Sequence, residues 1–281
     1  MIEQDNEQKN DFRPMSIPRV NFSRTAKALG SVPDHAVKRA CQRFREEGCM
    51  VLEDILSPRY VEEMRKYYVE RYSRYLAGER FPDAYEVGAR RSMVTAEIEG
   101  PFNSSRLYGN RFAMPIIRGL LGRRSIIGAF NVVTSMPGSR TQHLHADHPG
   151  LFRKQDIDGM LPVYSVSLAI PLVDLNKSHG TTRFYPGTHI TTEETEPKVP
   201  YFDPDVPAGS AILFDIRVRH RGTRNVSKEP RPIVYAIYNR YWFRDAVNYD
   251  NGPPVSISAE EFEKVPKKHR KLFEWARVWD N

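Results

Sequence analysis

The spacing of apolar residues changes character along the chain. From Asp34 onward, Val37, Ala40, Cys41 and Phe44 recur three and four residues apart until Gly48. That spacing predicts an amphipathic helix with a glycine stop. Cys49 to Ile55 is a short apolar run and reads as a strand. Ser57-Pro58 then supplies a cap followed by a proline at the first turn, a strong helix start. Val61, Met64, Tyr68, Tyr72 and Leu76 continue that helix with a stripe suited to packing. Ahead of all this, residues 1–33 are polar and irregular, carry Pro14, Pro18 and Pro33, and read as a flexible arm. Residues 78–109 have no clear period; such segments inside compact domains often serve as lids or binding loops. Pro115 opens a short helix over Met114 to Leu121.

After Gly128 the period becomes two. Tyr164, Val166, Leu168 and Ile170 alternate with Ser165, Ser167 and Ala169, as on a strand with one apolar face. Ala211 to Phe214 and Ile233 to Tyr238 read as further strands. Pro137-Gly138, Pro149-Gly150, Pro186-Gly187 and Ala208-Gly209 punctuate them as turns. Short strands separated this way suggest a β-sandwich or jelly roll. Ser258-x-x-Glu261 is a capping box, predicting a C-terminal helix that ends near Trp275 and Trp279. The expected organisation is the arm and then one domain over 34–281. That domain has a helical front at 34–125, a β core at about 128–244 and a helical tail at 245–281.

Composition narrows the class. Of 281 residues, 40% are hydrophobic and 27% charged, which excludes global disorder. The longest apolar run, Ile233 to Tyr238, has six residues, far short of the roughly 20 that span a bilayer. No apolar stretch follows Met1, so no secretory signal is expected. Two cysteines, Cys41 and Cys49, make neither a disulfide framework nor a zinc cluster, and a reducing, cytoplasmic setting follows. Net charge is +7. Between Arg217 and Arg244, eight basic residues face one acid, Glu229. A nucleic-acid reader more often carries a basic helix or tail. Here the cluster overlaps predicted strands and turns, which fits either a solvated strand edge or a site for an anionic ligand.

The chemistry concentrates in Gln142 to His148, which holds His143, His145, Asp147 and His148. Residues two apart on a strand share a face, so His145 and Asp147 reach one ion, with His143 on the same side and His148 opposite. His220 follows the predicted strand Ser210 to Asp215. Two histidines and one carboxylate form a face that suits non-haem Fe(II) and leaves three positions open. Arg231, eleven residues later, opens the next strand. Its guanidinium offers a bidentate fork to a carboxylate.

Four segments occur in order: Gln142-x-x-His145-x-Asp147; Gly180 to His189; Pro207-Ala208-Gly209-Ser210 leading to His220; and Arg231. On these motifs the chain, over roughly residues 35–245, resembles the phytanoyl-CoA dioxygenase family of Fe(II)/2-oxoglutarate oxygenases. It departs at His179, where the family carries Asn, and at Thr188, where it carries Ser. The resemblance implies a mainly β fold with flanking helices around a double-stranded β-helix, the jelly-roll core shared with cupins. It implies His145, Asp147 and His220 as iron ligands and Arg231 as partner of the distal carboxylate of 2-oxoglutarate. Gln142 and Thr182 would lie beside that cosubstrate, and His189 would be a structural turn residue. The implied reaction consumes O2, releases succinate and CO2, and oxidises, most simply hydroxylates, a C–H bond of a small metabolite or natural-product intermediate. Asp147 points to an oxygenase, since the related halogenases lack that carboxylate.

Substrate contacts are expected from His143, from Arg90, Arg91, Asn103 and Tyr108 in the irregular segment, and from Trp242, with Arg240 and Arg244 nearby. The expected partner is a small molecule, the basic balance allowing it an anionic group, with no nucleic acid or membrane, bound by a monomer or homodimer. Three rivals stand against this reading. A metal-dependent cupin without 2-oxoglutarate would use His143-Leu144-His145, but no Glu lies between His145 and Glu193. A nucleic-acid demethylase of the same class typically has a second Arg six residues after the anchor, where this chain has Ile237. A non-catalytic jelly roll would hold an acidic partner on its 217–244 face.

Overall fold

The computed structural model describes residues 17–79, 84–152, 157–191, 199–249 and 254–280. Among the described residues twelve strands run in chain order: β1 Arg19–Val20, β2 Cys49–Leu52, β3 Ala84–Glu86, β4 Arg91–Thr95, β5 Ser125–Ser135, β6 Ser165–Pro171, β7 Thr182–Tyr185, β8 Ala211–Asp215, β9 Arg219–Gly222, β10 Arg231–Arg240, β11 Ser256–Ser258 and β12 Arg277–Trp279. The α-helices are α1 Arg24–Leu29, α2 Asp34–Glu47, α3 Pro58–Arg71, α4 Ser73–Leu76, α5 Ala113–Leu121, α6 Ile157–Met160 and α7 Ala259–Lys264.

Eight strands form the major sheet in the order β1-β2-β8-β6-β10-β5-β4-β3. Opposite it, β7 pairs antiparallel with β9. Single bridges extend this minor sheet on both sides, Phe184 to Phe202 and His220 to His145. The two sheets make the expected jelly roll. Alternation along each strand sorts its residues between two cores. On β10, Val234, Ala236 and Tyr238 face the helices, in the core that also buries Phe44, Met64 and Ile117. Ile233 faces the other way, among Val51, Phe184, Phe214 and Val218 between the sheets. A helix layer therefore closes one face of the major sheet and leaves the other face to the minor sheet and the site.

The helices at 34–47 and 58–71 form where the apolar spacing places them. Ser57 caps α3 by accepting from Tyr60 N at 3.3 Å. Gly48 ends α2 at φ 75°, and a side chain there would put its Cβ 2.4 Å from Val218 Cγ2 and 2.5 Å from His189 Nδ1. Only glycine permits that backbone and that approach.

Three boundaries differ from expectation. Residues 1–16 of the expected arm lie outside the described residues, and 17–33 are packed. There β1 pairs parallel with β2, Arg19 opposite Val51, and Ile17 and Phe22 are buried. The aperiodic 78–109 stretch contributes β3 and β4, which extend the major sheet beyond β5. These strands are too short to display a period of two; β4 takes its partner from far along the chain, Arg91 opposite Ser135, and β3 pairs in turn with β4. The tail is only partly helical. The serine half of the capping box forms, Ser258 Oγ accepting from Glu261 N at 3.2 Å, while the Glu261 carboxylate accepts from Asn103 and Lys264. However, α7 stops before Pro266, which cannot supply the next backbone donor, and the chain returns as β12 beside β11. Trp279 therefore sits on a strand.

Candidate metal centre

His220 is buried on β9, its ring stacked on Phe184 at 5.6 Å and edge-on to Phe214 at 5.0 Å. His145 lies on an extended segment joined to β9 by two backbone bonds, His145 N to His220 O at 3.0 Å and His220 N to His145 O at 2.8 Å. Asp147 N donates to Ile216 O at 2.9 Å. These bonds, rather than a full strand, hold the two ligand-type residues on one side. Each imidazole is aimed by its own backbone. Nδ1 of His145 meets His143 O and Nδ1 of His220 meets Val218 O, both at 3.0 Å. Both Nε2 atoms then face Asp147 Oδ1, at 4.0 Å from His145 and 3.3 Å from His220. The three donor atoms lie within 4.8 Å of one another. Ligands of one ion at about 2.1 Å sit roughly 3 Å apart when adjacent, so a small side-chain adjustment completes a facial set.

The electrostatics agree with that fit at Asp147 and His145, while at His220 they favour the protonated form. Burial raises the Asp147 carboxyl, but the His220 charge, its hydrogen bond and His145 outweigh burial and hold it below the ordinary range. Burial lowers His220, but Asp147 outweighs it and holds that imidazole above its usual value. Burial, reinforced by the neighbouring His220 charge, pushes His145 down to about 4. A neutral imidazole and a carboxylate are the metal-binding forms.

The triad opens into a cavity of about 630 Å³. Gln142, Thr182, Arg91, Arg231 and His143 also line it. Gln142 is fixed at both ends, Nε2 donating to Val87 O at 2.8 Å and Oε1 accepting from Gly222 N at 2.9 Å. Thr182 is hydrogen-bonded to Tyr235. Arg231 donates through Nη2 to Ser135 Oγ at 2.8 Å and through Nη1 to His179 O at 3.0 Å. So position 179, where the family carries Asn, serves the site through its carbonyl. His143 stands with its ring 5.1 Å from that of His145.

The other expected contacts sit elsewhere. Arg90 is exposed, holds φ at 56° and lies over the Pro137-Gly138 turn, away from the lining. Tyr108 is wholly buried, edge-on to Phe273 at 5.0 Å and His269 at 5.9 Å, because the C-terminal segment covers it. Asn103 is tied to Glu261. Trp242 is half-exposed beside Tyr164, while its neighbour Phe243 turns inward to line the cavity.

The basic stretch does not form one face. Arg217 is buried in a bidentate pair with Asp215, Arg240 donates to Val163 O and Leu120 O, and Arg244 lies over Trp275. His148 is buried, 3.9 Å from Asp245 and 5.3 Å from the Phe243 ring. His189 meets Arg45 O at 3.1 Å, a structural turn contact.

Sequence reasoning missed Tyr235, Ser135, Asn131 and Tyr249, all in the lining. Tyr235 carried a signal. On β10 the odd-numbered residues Arg231, Ile233, Tyr235, Ile237 and Asn239 line the cavity, and on β5 so do Ala129, Asn131, Val133 and Ser135. Counting in twos along β10 from Arg231 finds Tyr235; Asn131 and Ser135 follow only once the β5–β10 register is known.

Comparison with known proteins agrees with this geometry. The sequence pattern of the phytanoyl-CoA dioxygenase (PhyH) family matches residues 44–233. Dioxygenase af480 of Aspergillus fumigatus is 29% identical over 155 residues, 53% of this chain and 48% of that protein. The chain thus matches about half the length of that relative. The Fe(II)/2-oxoglutarate-dependent dioxygenase nvfF of Aspergillus novofumigatus is 24% identical over 225 residues, 71% of this chain and 72% of that one. Among solved structures, the non-heme alpha ketoglutarate dependent epimerase SnoN from nogalamycin biosynthesis superposes with a TM-score of 0.58 at 22% identity, covering 73% of this chain and 83% of SnoN. With its family pattern spanning most of the jelly roll and both halves of the triad, the chain belongs to the phytanoyl-CoA dioxygenase family.

Proposed function

We propose that the chain is a non-haem Fe(II)/2-oxoglutarate-dependent dioxygenase acting on a small molecule, with succinate and CO2 as co-products. One observation carries the reading: two histidines and a carboxylate converge at one end of the same cavity that buries Arg231. In this reading His145, Asp147 and His220 hold the iron, and Arg231 takes the distal carboxylate of the cosubstrate through its fork. Gln142 and Thr182 border the cosubstrate between them, and His143 stands at the edge of the substrate space. The iron, when bound with 2-oxoglutarate and O2, supplies the oxidation of a C–H bond, of which hydroxylation is the simplest outcome. Around it Ile233, Ile237 and Phe243 provide apolar walls that exclude water from the reacting groups.

Small-molecule chemistry is supported by the size of the cavity and by SnoN, whose structure holds Fe3+, alpha ketoglutarate and nogalamycin RO. An anionic substrate group finds no support among the described residues: the Arg side chains lining the cavity are Arg91 and Arg231, beside Ser135, while Glu86 and Asp245 line its other parts. No described helix is long and apolar enough to cross a membrane. Both cysteines are buried and free, which suits a reducing compartment, and on that ground we assign the enzyme to the cytoplasm.

The test is calorimetric titration of metal-stripped protein with 2-oxoglutarate, with and without anaerobic Fe(II). Micromolar binding that requires metal, and that Asp147→Ala and Arg231→Ala both abolish, is the expected result. Absence of binding by the metal-loaded wild type would sink the oxygenase reading.

A further inference from the structure

The cavity wall built by β4, β5, β10 and the segment after β10 is mostly apolar. Met93, Ala129, Val133, Ile233, Ile237 and Phe243 line it. Most of the polar side chains among them are already answered inside the protein. Ser165 Oγ donates to Asn239 Oδ1 at 2.6 Å, and Asn239 Nδ2 donates to Phe243 O at 3.3 Å. Asn248 Nδ2 donates to Asp147 O at 2.9 Å and to Asp245 Oδ2 at 2.7 Å. Asp245 Oδ1 accepts from the backbone of Val247 at 3.2 Å and Asn248 at 3.0 Å, so its charge is held within its own turn. Glu86 is exposed and keeps its charge in water.

Tyr249 is different. Thr95 Oγ1 donates to Asn131 Oδ1 at 3.4 Å, and Asn131 Nδ2 donates to the Tyr249 hydroxyl oxygen at 2.5 Å. Asn131 is buried, so this short relay runs one way, out of the sheet toward the phenol. It occupies the oxygen and leaves the phenolic hydrogen without an acceptor among the described residues. Burial raises the Tyr249 phenol and outweighs the Asn131 bond, which lowers it; Asp245, Asp147 and Tyr85 add to the rise. The hydroxyl therefore keeps its hydrogen at neutral pH. Tyr249 lines the cavity and is only partly exposed, whereas Tyr85 and His143 stand exposed at the rim, where water answers them. An oriented donor set in an apolar wall is how a pocket fixes one polar atom of its ligand.

We propose that Tyr249 is a specificity-determining residue for the oxidised substrate, its hydroxyl donating to an oxygen acceptor on a neutral, largely apolar molecule. The acceptor is a carbonyl, ether or hydroxyl oxygen, and the rest of the molecule packs against Met93, Val133, Ile237 and Phe243. This substrate class rests on the oxygenase reading above and narrows it. A charged group in the same place would leave water with no counter-charge to meet it.

The probes are four bicycles of one shape: tetralin, 1-tetralone, 1-aminotetralin and 1-tetralincarboxylate. Each is titrated by ligand-observed NMR into anaerobic protein loaded with Fe(II) and 2-oxoglutarate, as wild type and as Tyr249→Phe. The variant keeps the ring and removes only the donor; thermal unfolding and 2-oxoglutarate affinity compare the two folds. In wild type 1-tetralone binds tightest, and the ammonium and carboxylate probes bind about tenfold or more weakly. In Tyr249→Phe the ketone weakens by about threefold to tenfold, the worth of one neutral hydrogen bond. Tetralin stays within about twofold, since it never used the hydroxyl.

Unchanged ketone affinity in Tyr249→Phe would overturn the proposal. Equal weakening of ketone and hydrocarbon would overturn it as well and leave Tyr249 as a prop for the wall. A charged probe that binds wild type more tightly than the ketone would overturn the neutral class. Wild type that binds 2-oxoglutarate with metal but none of the four bicycles would overturn this proposal alone; wild type that binds no 2-oxoglutarate would refute the oxygenase reading itself.

Discussion

Replacing Arg217 with Met removes one half of a buried ion pair that sits directly behind the metal centre. Arg217 and Asp215 meet in a fork, Nε to Oδ1 at 2.9 Å and Nη2 to Oδ2 at 2.8 Å. Their side chains are 6% and 1% exposed. Arg217 Nη1 further donates to Asp158 O at 2.8 Å and Leu161 O at 3.3 Å. In Arg217→Met the Asp215 carboxylate stays buried, keeping the hydrogen bond from its own loop, the residue-217 backbone N–H at 3.0 Å. Removing one partner of such a pair costs about 3–5 kcal/mol, because the remaining charge is uncompensated. A solvent-exposed pair would cost about 1 kcal/mol or less. Urea unfolding followed by tryptophan fluorescence reads the difference. The second variant, Asp215→Asn with Arg217→Met, removes both charges and is expected to recover at least about half the loss. Metal affinity should fall alongside stability in the single variant, since Ile216 O, next to the pair, holds Asp147 N at 2.9 Å and His148 N at 3.3 Å. A loss below about 1 kcal/mol in Arg217→Met, or no recovery in the double variant, would refute the assignment of this arginine to the scaffold.

Two further outcomes follow from the titrating groups. In metal-free protein His220 is held above its ordinary value, so its contribution to stability is complete below about pH 6.5 and is lost as pH rises through the folded value. Asp147 is held below its ordinary value, so its contribution is present above about pH 4 and is lost as pH falls through the folded value. The stability gap between wild type and Asp147→Asn, measured by denaturant unfolding without metal, should therefore be widest between these limits and shrink toward pH 8; a gap that widens with alkalinity would contradict the pairing. Burial pushes the Cys49 thiol far up and the Cys41 thiol up as well. A thiol reagent at pH 8 should modify neither in the folded protein and both after unfolding, and a rapid native reaction would show that the α2–β2 junction opens.

Much of the chemistry is local in the sequence. His145 and Asp147 are two residues apart, and an extended backbone carries both to one side whatever it pairs with. His220 and Arg231 announce themselves by following and opening apolar runs. The helices at 34–47 and 58–71 and the strand at 165–171 are likewise written in their periods, and the strand at 231–240 in its apolar run, which is buried on both faces.

What stayed hidden depends on pairing across long stretches of chain. Strands β3 and β4 have no period to betray them; only the pairing of β4 with β5 and of β3 with β4 makes them strands. Tyr108 sits in a segment that reads as a lid, yet the C-terminal chain covers it. The run of arginines from 217 to 244 reads as one basic patch, but alternation and strand ends send its members to an ion pair, a cavity and backbone carbonyls. By itself, then, the sequence pointed to the candidate donor set and candidate anchoring arginine, through short motifs in order, and to the jelly-roll class, through short strands between turns. Tertiary structure alone decided that Arg91 stands beside Arg231, because one serine on an intervening strand is the register partner of both, and no local pattern encodes a register between strands so far apart in the chain.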